Sequence, residues 1–81
     1  MGEYGRIVVD TPDVPIFHVY VDTLDQALEV MKTEQRRSAS GSIITLERWD
    51  VLDRRYRPTV SWSRSSKGWQ RKMASRRRRA V

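Results

Sequence analysis

The chain has 81 residues, 16 Lys and Arg against 10 Asp and Glu for a formal charge of +6, 38% hydrophobic residues, no cysteine and a mean hydropathy of −0.68. This length leaves room for one domain with a small core, and the composition excludes a disulfide framework, a thiolate metal site and a run long enough to cross a membrane as a helix. All ten carboxylates lie in residues 1–53 with only five cations (Arg6, Lys32, Arg36, Arg37 and Arg48), whereas residues 54–81 carry eleven cations and no carboxylate. Segregation of this kind concentrates polyanions and steers encounter, so it predicts an acidic partner without saying anything about the fold.

In chain order, Ile7-Val8-Val9 is a β-branched run that predicts a short edge strand over about 5–9. It is stopped by Asp10-Thr11-Pro12-Asp13-Val14-Pro15, whose prolines remove backbone donors and fix φ. From Ile16 to Val21, Phe17, Val19 and Val21 alternate with Ile16, His18 and Tyr20. That period of two predicts a central strand over about 16–22 with both faces partly covered.

Asp22 and Thr23 offer capping oxygens to a first helical turn, and Leu24, Ala27, Leu28 and Met31 recur at i, i+3, i+4 and i+7. The pattern predicts a helix over about 23–37 that packs this stripe on the sheet and turns Asp25, Glu29 and Lys32 outward. Arg36 and Arg37 complement the negative end of its dipole, and Ser38-Ala39-Ser40-Gly41 supplies the exit.

Residues 42–53 carry two signals: Ile43-Ile44-Thr45-Leu46 favours a strand, while Leu46, Trp49 and Leu52 at spacings of three mark a helical face. The preceding Ser-Gly and the clean alternation of Tyr56, Pro58, Val60 and Trp62 that follows favour a hairpin. Its strands fall at about 42–52 and 56–64, with Asp53-Arg54-Arg55 at the tip. Pro58 places the second strand on an edge. Ser65-Ser66-Lys67-Gly68 breaks that strand and offers a serine cap to a basic C-terminal helix or tail over about 66–79, with Trp69 and Met73 at i and i+4. Four successive arginines, Arg76 to Arg79, repel one another, so this end is expected to order only on anions. The sum is an α+β domain over residues 1–64, a small antiparallel sheet of three or four strands with one helix on a face, followed by a basic appendage over residues 65–81.

Catalytic chemistry finds little to build on. His18 is the only histidine, and with no cysteine a zinc site would need carboxylates alone. Asp10, Asp13, Asp22 and Asp25 have sufficient roles in turns and at a helix start, and the spacing of Glu47, Asp50 and Asp53 is too loose to specify a Mg²⁺ site. The serines lie in loops without a base-bearing motif, and the four scattered glycines form no phosphate loop. No enzyme activity, cofactor or metal is therefore expected.

The basic end carries the functional expectation. Trp62 and Trp69 are interleaved with Arg64, Lys67, Arg71 and Lys72, the arrangement in which aromatic rings meet bases and cations meet phosphates. Trp49, Tyr56 and Trp62 also suit a sheet core. The candidate nucleic-acid-binding set is Arg54, Arg55, Arg57, Arg64, Lys67, Trp69, Arg71, Lys72, Arg76, Arg77, Arg78 and Arg79, with RNA or DNA as partner. The bias of thirteen Arg over three Lys suits guanidinium recognition of structured RNA, and equally a short reading frame of a GC-rich bacterium or phage. The alternative is a protein-interaction module, a small phage-type or regulatory factor, whose basic end docks on an acidic protein surface or on a second copy. The opening Met-Gly-Glu-Tyr-Gly-Arg has neither the basic flank nor the apolar stretch of a secretory signal, so a cytoplasmic protein is expected, away from membranes.

Overall fold

The computed structural model describes residues 2–73. It is a five-stranded antiparallel sheet with one helix packed on a face, an α+β fold. The elements are β1 (Gly5–Asp10), β2 (Phe17–Val21), α1 (Leu24–Arg37), β3 (Ile43–Asp50), β4 (Arg55–Ser65) and β5 (Gly68–Met73), in sheet order β2-β1-β3-β4-β5. The β2–α1–β3 connection carries the chain over β1, which lies between the two strands it joins. Among the described residues no helix is long and apolar enough to cross a membrane.

Alternation decides the two faces. Ile7 and Val9 of β1, Val21 of β2, Ile44 and Leu46 of β3 and Val60 of β4 are buried under Ala27 and Met31 of the helix. Their neighbours, Arg6, Val8, His18, Tyr20, Thr45 and Glu47, point to the opposite, uncovered face. The helix begins where Thr23 accepts a hydrogen bond from the Gln26 amide (3.1 Å) and the Gln26 side chain reaches back to the Asp22 amide (2.7 Å). This reciprocal capping satisfies one donor that the first turn leaves free, the Gln26 amide, and the amide of Asp22 just before the cap.

Four expectations need correction. The expected edge strand β1 pairs on both sides, and the expected central strand β2 is an edge, because neighbours are set by non-local pairing that short-range patterning does not encode. The inward face of the helix is Ala27, Val30, Met31 and Glu34, leaving Leu24 and Leu28 at 49% and 45% exposure. Two donors fix that rotation at the C-terminal half: Trp69 Nε1 donates to the Gln35 carbonyl (3.1 Å) and the Arg64 guanidinium donates to the Ser38 carbonyl.

Residues 68–73, expected as helix or tail, are strand β5. A two-residue turn closes the β4–β5 hairpin, with Ser65 opposite Gly68 and Gly68 at φ 106°, a conformation that favours glycine. Trp69 and Met73 share one face in a strand as they do on a helix, so a spacing of four could not separate the two periods. Finally, β4 is an interior strand, but β5 pairs only with Val60–Ser65 of it. Pro58 lies on the unpaired half, beside the register shift between Leu46 and Glu47, so its edge logic holds locally.

Candidate nucleic-acid interface

The border of the sheet opposite β2 is formed by β5 and by the first half of β4. Arg54 and Arg55 are exposed at one end of it, Arg71 and Lys72 on β5, and Lys67 at the tip of the β4–β5 turn. None of these five makes an ion pair among the described residues. β4 has eleven residues, so at about 3.3 Å per residue the cations are strung over roughly 33 Å as a stripe. Arg71 lies opposite Trp62 on the helix side and Lys72 opposite Ser61 on the uncovered side. β5 runs antiparallel to β4, toward the end where Arg54 and Arg55 sit, and the sequence then continues into Arg76, Arg77, Arg78 and Arg79, which lie outside the described residues.

Three members of the expected set are committed internally. Arg57 pairs with Asp50 (2.6 Å) and with Asp53. Asp50 in turn accepts from the amides of Leu52 (3.0 Å) and Asp53 (3.2 Å), closing the β3–β4 turn around Arg54 at φ 53°. Arg64 is half-buried, and its guanidinium caps the Ser38 carbonyl at the helix C-terminus. Its backbone accepts from the Gly41 amide and donates to the Ser42 carbonyl, both at 2.9 Å. Trp69, expected beyond the sheet, lies within β5 against the core and docks on Gln35. Trp62 also packs on the core. These two rings are partly buried structural anchors.

The sequence reasoning missed an aromatic corner on the uncovered face. The Trp49 and Tyr56 rings meet edge to face at 4.9 Å, Tyr20 lies 5.7 Å from Tyr56, and His18 lies 6.3 Å from Tyr20. Arg6 sits over Tyr56 at 4.5 Å and pairs with Glu47 at 2.6 Å. Burial alone would lower the Arg6 pKa, but hydrogen bonding and charge from Glu47 and Tyr20 raise it on balance, so the guanidinium stays fully charged. The signal was present as His18 and Tyr20 alternating with the core residues of β2. What could not be read was the register that brings them to Trp49 and Tyr56, two and three strands away.

The opposite border has the opposite character. Between β2 and α1 runs a groove of about 480 Å³ with Val21 and Val30 in its wall and Asp25 and Glu29 on its rim. Part of the charge segregation of the sequence thus becomes spatial: Asp25 and Glu29 stand at the β2 border and the five cations at the β4–β5 border, where Asp50 and Asp53 of the adjoining turn are held by Arg57. Among the described residues no three His, Asp or Glu side chains converge to hold a metal ion. Set beside known protein families, curated proteins and solved structures, the chain matches none of them.

Proposed function

We propose that this is a small non-enzymatic nucleic-acid-binding accessory protein that lays its β4–β5 border along the phosphate backbone of RNA or DNA. One observation carries the reading: Arg57 and Arg64 are used inside the fold, whereas Arg54, Arg55, Lys67, Arg71 and Lys72 stand along one border without an ion pair among the described residues. Holding like charges together without internal partners disfavours the isolated fold, and phosphates relieve that repulsion. Arg76 to Arg79 add four more cations to the same end of the sequence.

The test is purification at low salt, followed by the ratio of absorbance at 260 and 280 nm before and after a high-salt wash. Titration of labelled RNA and duplex DNA onto the washed protein completes it. Co-purified nucleic acid that is released by salt, and salt-sensitive rebinding, are expected. Absence of binding to either polymer at low salt overturns the proposal.

The acidic rim of the β2–α1 groove favours a second reading, in which the basic border of one copy meets Asp25 and Glu29 of another. Sedimentation at low and high salt after nuclease treatment separates the two. Salt-dependent assembly that survives nuclease supports self-association, and a monomer throughout supports the first reading.

A further inference from the structure

The uncovered face of the sheet has a composition that the phosphate contacts do not explain. Tyr20 is 52% exposed near the C-terminal end of an edge strand, and it stands at the rim of the Tyr56–Trp49 pair. By register, Tyr20, Arg6, Glu47 and Pro58 form one row across four strands, and His18, Val8, Thr45, Ser61 and Lys72 form the next across all five. Antiparallel neighbours in register share a face, so an exposed tyrosine and histidine at the β2 end are joined to a cation of the basic border at the other. Four strand spacings of about 4.8 Å make that path roughly 19 Å long.

Charge and polarity select the occupant. Glu47, the carboxylate at the centre of this face, is neutralised by Arg6, so the central row does not repel a polyanion. A second sheet packed here would have to remove the Arg6–Glu47 pair and the polar side chains of two adjacent rows, Thr45 and Ser61 in one and Ser63 and Gln70 in the next, from water, which is unfavourable for an apolar interface. A wet ligand with flat faces and a negative backbone suits the surface. The faces of bases in a duplex are covered by their neighbours, whereas those of a single strand are free to stack on aromatic rings.

We propose that this face binds the bases of single-stranded nucleic acid, with the Tyr20 ring as the stacking surface, Tyr56 (itself packed against Trp49) beside that ring, and Lys72 on the backbone. The proposal rests on the nucleic-acid reading above and adds to it a preference for single strands over duplex.

The test measures fluorescence anisotropy of a labelled single-stranded oligonucleotide, and of the duplex of the same length, on the full chain and three variants. Tyr20→Leu keeps an apolar side chain without a π-face, Tyr20→Phe restores the π-face, and Lys72→Gln removes a charge. Tyr20→Leu is expected to weaken single-strand binding by about tenfold while leaving duplex binding unchanged, and Tyr20→Phe to return it. An unchanged urea unfolding midpoint reports that the variant is folded. Lys72→Gln is expected to weaken both. If Tyr20→Leu leaves single-strand binding unchanged, or weakens both polymers equally, the stacking face is wrong while salt-sensitive binding keeps the border reading intact. A concentration-dependent dimer abolished by Tyr20→Leu identifies the face as a self-contact and overturns the proposal. Binding of neither polymer by the full chain overturns both.

Discussion

Replacing Arg64 with methionine separates the two uses of arginine in this fold. The guanidinium donates to the Ser38 carbonyl at the C-terminal end of α1, where free carbonyls carry the negative end of the helix dipole. Arg64→Met keeps most of the aliphatic stem but leaves that half-buried carbonyl without its donor. A hydrogen bond to a charged group contributes about 1.5–3 kcal/mol, and partial exposure places this one near the lower end, at about 2 kcal/mol. For a domain of this size that corresponds to a fall in Tm of roughly 8–16 °C. Arg71→Met is the matched control: it lies on the same face of the β4–β5 hairpin, is exposed and makes no ion pair among the described residues, so its effect on stability should stay within about 0.5 kcal/mol. Urea unfolding followed by circular dichroism measures both, and nucleic-acid titration should show the reverse order, with Arg71→Met lowering the salt dependence and Arg64→Met leaving it unchanged. Equal stability losses in the two variants would refute the division of labour.

Three further outcomes follow from the packing. Gly5→Ala should cost more than about 2 kcal/mol in urea unfolding, because a Cβ at Gly5 would collide with the Glu47 carbonyl oxygen and force β1 away from β3. Ile44→Ala, at a fully buried position of the central strand, should cost about 2–5 kcal/mol by the same measurement, with an unchanged m-value. Thr23→Ala should cost about 1 kcal/mol, and a loss below about 0.3 kcal/mol would mean that the Gln26 side chain alone caps the helix.

The parts of the fold that local chemistry dictates were legible in the sequence. Asp22 and Thr23 marked the helix start to within a residue, and the Ile43–Leu46 run with the Tyr56–Trp62 alternation marked the β3–β4 hairpin. What escaped depends on partners distant in the chain. Nothing within Ile7-Val8-Val9 says that β3 will lie on its far side, and nothing in Leu24 or Leu28 says that Trp69 and Arg64 will turn the helix away from them. The same limit applies to the candidate surface. Clustered cations are visible in a sequence, but which of them fold inward is not: Arg57 and Arg64 read like Arg55 and Arg71 until Asp50, Asp53 and Ser38 are brought beside them. A cut before Ser65, natural if residues 65–81 were an appendage, would remove a strand whose Trp69 packs on the core. The boundary for a truncation therefore belongs after Met73.

The measurement closest to the central claim is the salt dependence of duplex binding by the full chain and by Arg71→Gln/Lys72→Gln. Five border cations meeting phosphates give a slope of log K against log salt near −4.5, a loss of several hundredfold between about 50 and 200 mM. Any contacts from Arg76 to Arg79 steepen it further. Replacing two of the cations should make the slope shallower by about 1.8 with the unfolding midpoint unchanged. A slope that does not move in the double variant would contradict the claim that the β4–β5 border is where the polyanion sits.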